Sequence, residues 1–453
     1  MKIILYKGDI ETTSYFLTQM GKEFRQQGIE VLEYQFDIAK GKNGELQEVG
    51  ELLRFAASGQ TLMLSFNYAG VFGEDILTVG NTDVLRVLKE QGNPAEGVDE
   101  DMLLVDFLSL PYYNIVVDHP YHYHLHLKHR PKDYHQIDID RNHIRYMQRY
   151  FPEIDVLPFL PSGGTELERE YDSPPQEGNA QSEGYPGRPM LDRPYDVVLT
   201  GTYIPPESFY VFMDRHGEEY GAFYRKMLKD ALDEPDRLLE DIVRGRLLEE
   251  IPEATEDELR ETLGHIQFLD YYIRFFVRGE VLRTLVDSGI RVYAFGGGWE
   301  NFECERSDCF FFETEDGRLL SLQEAGKEIG VMSRYLSSKE CLQKIRQSKI
   351  SLNVMPWFRD GAHDRIFNSM LNGAVALTDS SIYLRQILTD GENVIFYDLQ
   401  RLEELPDRVK TLLEDPERLE RIAANAYTCA KEDHTWQHRA AALLETLKIR
   451  NEI

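Results

Sequence analysis

Apolar positions along this chain follow two rhythms. Lys2–Tyr6 is a short apolar run, and Thr13–Gln27 repeats its apolar residues at helical spacing. Val31–Phe36 and Thr61–Asn67 read as further strands, Leu104–Leu110 as a helix and Asn114–Asp118 as a buried strand. His135–Ile139 and Val156–Pro161 continue the series. Alternation of this kind predicts a parallel sheet with helices on both faces. From Ser162 to Pro194 the pattern fades into Gly, Pro, Ser and Glu, a composition that buries no core and reads as a linker or mobile loop. The rhythm resumes with the strand Tyr195–Thr200, a long helical block over Ser208–Gly279 and the strand Arg291–Phe295. After a helix at Glu340–Gln347, Ser351–Met355 and Ala374–Leu377 read as strands around a short helix that stops at Gly373. Helices fill the tail from Leu402.

Length adds that 453 residues exceed one ordinary core, so two domains are expected. Fifty basic residues against 79 acidic ones give a formal charge of −29. That balance argues against nucleic-acid backbones and anionic membrane surfaces as partners. It also means that an anionic ligand needs a local positive site, which makes loop arginines informative. Cys304, Cys309, Cys341 and Cys429 are irregularly spaced and read as reduced structural thiols. The opening MKIILYKGDIETT is broken by Lys7 and Asp9 and does not read as a signal peptide. No run reaches the roughly eighteen apolar residues of a membrane span. A cytoplasmic location is expected.

Candidate chemistry concentrates in KISLNVMPWFRDGAHDRIFNSMLNGAVALTD, from Lys349 to Asp379. Here a strand gives way to a loop with Arg359, Asp360, Gly361, His363, Asp364 and Arg365, and a helix follows. A helix start offers free N–H groups and a positive dipole end, which suits an anion such as a nucleotide diphosphate. Arg365 fits a diphosphate through its planar fork, His363 can donate to the same phosphates, and Asp364 can hold Arg365 or cap the helix. Thr378 and Asp379, at the next strand end, suit ribose or phosphate contacts, though Asp379 equally suits a turn. Gly201 and Thr202 follow a buried strand, where glycine permits close backbone approach and Thr supplies a hydroxyl. Gly296, Gly297 and Gly298 do not form a dinucleotide fingerprint; they read as a tight turn and mobile loop, or as a backbone wall around a donor's base or phosphate, with Trp299 as a stacking partner.

In the first half, seven of the twelve histidines lie between His119 and His143. An extended segment would place His122, His124 and His126 on one face, but nothing nearby completes a tetrahedral zinc set, so no metal is expected there. Asp118 and His119 close a buried strand, and either serves as a candidate general base toward an acceptor hydroxyl. Ser65–Gly70 and Ser162–Gly164 are weaker strand-end signals.

The runs HDRIFNSMLNGAVALTDSSIYL, DGENVIFYDL and LPDRVKTLLEDPERLERIAANAYTCAKEDHTWQHRAAALL resemble the C-terminal domain of CgeB-like bacterial glycosyltransferases. Those resemble the wider GT-B class of two-domain, metal-independent enzymes that use nucleotide sugars. The resemblance covers roughly the last hundred residues well and is weaker from Tyr113 to Gly164. It implies an α/β fold of two Rossmann-like parallel-sheet domains facing a cleft. Residues 1–165 would form an acceptor domain and 166–194 a linker. Residues 195–430 would form a donor domain with a helical insertion at about 208–279, and 431–453 a terminal helix returning to the first domain. Arg365 would then sit at the donor site. Many GT-B enzymes carry a Glu on the helix after it that holds the ribose; here the position is Asn368, which hydrogen-bonds without charge.

The activity so implied is transfer of a sugar, hexosyl in type, from a nucleotide-diphosphate sugar to a glycan, protein or small-molecule acceptor. Neither metal nor resident cofactor is required, the nucleotide-diphosphate sugar being a co-substrate. A non-catalytic nucleotide-sugar sensor or assembly protein and a nucleotide-sugar epimerase are the alternatives on this scaffold.

Overall fold

The computed structural model describes residues 1–35, 42–57, 59–73, 76–80, 82, 84–90, 97–168, 185–186 and 188–450. The chain divides into two compact units, one of Met1–Ser162 with Trp436–Ile453, the other of Gly163–Thr435. Most of the expected linker and Phe36 of the second expected strand lie outside the described residues.

Among the described residues, the first unit is built on six parallel strands: β1 (Lys2–Tyr6), β2 (Glu30–Tyr34), β3 (Thr61–Phe66), β4 (Tyr112–Val116), β5 (Tyr134–Asp138) and β6 (Asp155–Val156). Their order is β2-β1-β3-β4-β5-β6. β3 and β4 are buried along their whole length, as strands covered on both faces must be. The C-terminal helix, Trp436–Ile449, belongs to this unit and packs on the Glu11–Gln26 helix. Trp436, fully buried, stacks on Phe16 at 4.5 Å and meets Phe66 edge-on at 5.7 Å. Arg439 Nε donates to the Ser162 carbonyl at 3.1 Å.

Among its described residues the second unit has seven strands: β7 (Tyr195–Thr200), β8 (Val292–Phe295), β9 (Phe310–Glu313), β10 (Leu319–Ser321), β11 (Ser348–Asn353), β12 (Val375–Asp379) and β13 (Ile395–Tyr397). They are ordered β10-β9-β8-β7-β11-β12-β13, and only β10 runs antiparallel to its neighbour. The chain leaves β7 toward β8 and β9, then re-enters on the far side at β11. β7 and β11 therefore flank a switch point, beyond whose carboxyl ends ligands of open α/β sheets bind.

Several elements differ from the sequence reading. β6 stops after two residues where Val156–Pro161 was expected, because Pro158 and Pro161 have no N–H to give a ladder. Leu157 and Leu160 still donate to Gln136 and Asp138. The Leu104 helix ends at Phe107, with Ser109 in a left-handed conformation before Pro111. β4 lies two residues earlier than expected. The helical block is five helices from Tyr210 to Asp287, past the expected end at Gly279. The terminal helix starts at Trp436, while residues 431–433 finish the Pro416–Asp433 helix. The hairpin of β9 and β10 and the strand β13 had no expectation. His122 falls in a single 3-10 turn and His124 and His126 on a helix of their own, so they do not share the face an extended segment would give them.

Removing the Trp436 ring leaves a large cavity between Phe16 and Phe66. Trp436→Ala is expected to destabilise the first unit by about 3–5 kcal/mol, read from its thermal or urea unfolding transition. An unchanged transition would show that the terminal helix is not part of that core.

Candidate active site

β11 ends at Asn353, and the chain crosses a loop to the Asp364–Leu371 helix. His363 caps that helix: its Nδ1 accepts the Arg365 N–H at 3.2 Å. The same Nδ1 lies 2.8 Å from Asp364 Oδ1, so it serves either as the neutral cap or, protonated, as a donor to the carboxylate. Burial pushes the imidazole pKa down, and the neighbouring Arg365 adds to it. Burial alone would raise the Asp364 carboxyl; His363 and Arg365 hold it below its ordinary value.

The Arg365 guanidinium is fixed from beneath. Its Nη1 donates to Asn353 Oδ1 at 3.0 Å. Asn353 Nδ2 passes on to Thr378 Oγ1 at 2.9 Å, which donates to the Asp379 carbonyl at 2.8 Å. Burial lowers the Arg365 pKa and Asp364 opposes that.

From the other side comes Arg278, on the Gln267–Asp287 helix. Only 6% of it is exposed. Its Nη1 donates to the Thr202 carbonyl, and its buried Nε has no acceptor among the described residues. Burial, then Arg365 and Arg274, push its pKa down to about 9. Both guanidiniums converge on Gly201, at the carboxyl end of β7. A methyl group there would stand 3.3 Å from Arg365 Nη2 and 3.9 Å from Arg278 Nη1. Gly201 has φ +147°, a conformation that strains any other residue, and a side chain there would also crowd the Arg365 guanidinium. Arg274 lies one turn from Arg278; it pairs with Asp270 at 2.7 Å and sits over the Trp357 ring at 4.6 Å. The arrangement is a local cluster of cations in an acidic chain, placed at the switch point of the second sheet.

Residues 278–445 match the family described as "Glycosyl transferase-like". The match opens on Arg278 and contains His363, Asp364 and Arg365. No curated protein matches the chain. Among solved structures, Anabaena Alr3699/HepE in complex with UDP-glucose is 11% identical with a TM-score of 0.46, over 99% of each chain. Sucrose-phosphate synthase from Thermosynechococcus elongatus is 11% identical with a TM-score of 0.48, over 99% of this chain and 98% of that one. An alpha-glucosyltransferase in complex with UDP-glucose and DNA containing an abasic site is 10% identical with a TM-score of 0.49, over the same shares.

Of the residues singled out from sequence, Gly201, Thr202, His363, Asp364 and Arg365 meet at this cationic cluster. Others are committed elsewhere. Trp299 is fully buried, stacked on Tyr203 at 5.3 Å with its Nε1 donating to the Gly201 carbonyl at 2.8 Å, so it cannot stack on a ligand. It braces the glycine loop. Gly296 and Gly298 leave room for the carbonyls of Gly201 and Tyr203, and Gly297 lies under the Tyr335 ring. Asn368 accepts from the Thr165 N–H and donates to Asp364 Oδ2, both at 2.8 Å. Its amide thus ties Thr165 to the cap carboxylate. Thr378 is fully buried with its hydroxyl spent. Asp379 is buried beneath the cluster, and its Oδ1 accepts the Met355 N–H at 2.8 Å.

In the first unit, Asp118 Oδ2 accepts from Tyr123 Oη at 3.1 Å and Asn67 Nδ2 at 3.3 Å. His119 is buried, stacked on Tyr121 at 3.8 Å, and its Nδ1 accepts the Tyr121 N–H, so it caps a turn. Asp138, which the sequence reading passed over, ends β5 in full burial and is pushed up to about 7. Arg278 was also missed. Its signal was a charge at a position that shares the buried helix face with Phe275, Leu282 and Leu285.

Burial raises Asp379 to about 6. The folded chain therefore holds a proton there that the unfolded chain releases near pH 4, and the stability present in acid is lost as pH rises through about 6. Asp379→Asn keeps the acceptor for Met355. It is expected to raise stability at about pH 8 by roughly 3 kcal/mol and to change little near pH 4. Equal effects at both pH values in thermal melts would contradict a buried, ionisable Asp379.

Proposed function

We propose that this chain is a GT-B, CgeB-like glycosyltransferase. It takes a nucleotide-diphosphate sugar at the β7/β11 switch point and transfers the hexosyl group to a glycan, protein or small-molecule acceptor. The observation that carries this is the convergence of Arg278 and Arg365 on Gly201, inside the segment that matches a glycosyltransferase-like family. Two like charges turned to one buried spot call for an anion. Sugar transfer generates one, the diphosphate leaving group, and preorganised cations stabilise charge where it develops. Arg278 Nε and the second Nη of Arg365 would hold the phosphates, with the Asp364–Leu371 helix start adding its dipole. The guanidiniums supply the charge that a divalent ion supplies elsewhere, so the reaction is proposed to need no metal and no resident cofactor. In the first unit Asp118, just past the end of the buried strand β4, would accept the acceptor hydroxyl's proton, the role a carboxylate commonly takes as general base. The charge of −29 argues against a nucleic-acid acceptor. Among the described residues no helix is long and apolar enough to cross a membrane, and a cytoplasmic, bacterial enzyme fits this reading.

The commitment of Asn368 to Thr165 and Asp364 favours a second reading, a protein that binds nucleotide sugars without transferring them. Incubation with a panel of nucleotide sugars separates the two: released nucleoside diphosphate marks a transferase, intact bound donor the sensor, and an isomerised sugar an epimerase.

Arg278→Ala and Arg365→Ala are each expected to weaken nucleoside-diphosphate binding by tenfold or more in calorimetry, the worth of a charge-assisted hydrogen bond at about 1.5–3 kcal/mol. Turnover by the parent is expected to survive EDTA. Parent-like binding by both variants would remove the site from where it is proposed.

A further inference from the structure

An exposed aromatic ring stands over the glycine loop that follows β8, on a backbone anchored on both sides. Ser333 is tied to the glycine loop of the second unit: Trp299 N–H donates to its hydroxyl at 3.0 Å, and the hydroxyl donates to Glu300 Oε2 at 2.6 Å. Arg334 N–H donates to the Glu313 carbonyl at 2.9 Å, and its guanidinium pairs with the same residue at 2.7 Å. Beyond, Leu336 packs against Val198, Tyr293 and Phe295, and Ser337 caps the Ser338–Arg346 helix with a reciprocal Glu340 bond. Tyr335 sits between these anchors, yet the residue is 75% exposed. The ring lies over Gly297, and only the missing Cβ at that position lets it approach so closely.

The placement is specific. Gly297 follows β8, and its carbonyl accepts the Tyr203 N–H at 2.9 Å. One strand across, Gly201 carries the two guanidiniums. With neighbouring strands about 4.8 Å apart, the ring stands on the order of two strand spacings from the cations. A ribose and its phosphates bridge such a span. A rigidly mounted aromatic face costs a planar ligand little ordering entropy, and base–aromatic stacking tolerates any base.

We propose that Tyr335 is the stacking platform for the nucleobase of a nucleoside diphosphate whose phosphates lie at Arg278 and Arg365. This rests on the donor site proposed above and adds the residue that grips the base. Tyr335 gives affinity for a nucleoside over bare diphosphate, and does not choose among bases.

The test is calorimetric titration of the full chain with inorganic pyrophosphate and with uridine, adenosine, guanosine and thymidine diphosphates. The parent is compared with Tyr335→Ala, Tyr335→Phe and Tyr335→Trp. Tyr335→Ala is expected to weaken the best-binding nucleoside diphosphate about tenfold or more while leaving pyrophosphate binding unchanged, and the aromatic variants are expected to bind like the parent. If Tyr335→Ala binds nucleoside diphosphates as the parent does, the stacking role is overturned and the donor site stands. An equal loss of pyrophosphate binding overturns it too, since the ring would then act through the fold. A parent that binds no nucleoside diphosphate overturns the donor site and the stacking role together.

Discussion

Two guanidiniums facing one glycine set the terms for the second unit. Arg278 and Arg365 are held by neutral partners, the Thr202 carbonyl and the Asn353 amide oxygen. Neither is neutralised by the group it points at, and burial together with their mutual repulsion lowers the proton affinity of Arg278. A protein carrying a net charge of −29 has many carboxylates with which to quench such a pair. Asp364, beside Arg365, is itself engaged by His363 and Asn368. The electrostatic deficit is thus left at the carboxyl ends of β7 and β11, where a bound anion would remove it.

The surrounding scaffold serves that confrontation. The switch point brings the end of β7 beside the end of β11, although some 150 residues separate them in sequence. Glycine at 201 admits both arginines, and Trp299 locks the Gly201 carbonyl from the β8 side. The bonds from Asn353 through Thr378 fix the Arg365 fork before any ligand arrives, which is what preorganisation requires. Asp379 lies beneath as a buried carboxyl whose ionisation costs stability.

Much of this was legible in the residues, and the parts that were not share a cause. Buried strands such as β3, β7 and β12 announce themselves as apolar runs, and the Asp364 helix announces itself by its cap and by Gly373. Gly201 was read as a site of close approach and Gly297 as part of a turn or backbone wall; both admit a close neighbour, but the sequence could not say what approaches. At 201 it is two arginines from distant elements. At 297 it is the Tyr335 ring. Trp299 and Thr378 looked like ligand contacts because both follow strand ends, a position that fits a core brace equally well. Arg278 stayed hidden inside a helical block whose length drew the attention, since one-dimensional periodicity does not reveal that a charged residue on an apolar face aims at another helix's arginine. The short strand β6 shows the converse: two prolines remove ladder donors from a run whose apolar content looked sufficient.

The most direct test is a crystal structure of the chain with the tightest-binding nucleoside diphosphate. The account predicts phosphate oxygens within about 3 Å of Arg278 Nε and of an Arg365 Nη, above Gly201. A diphosphate bound elsewhere, with these two side chains still facing each other and no anion between them, would contradict it.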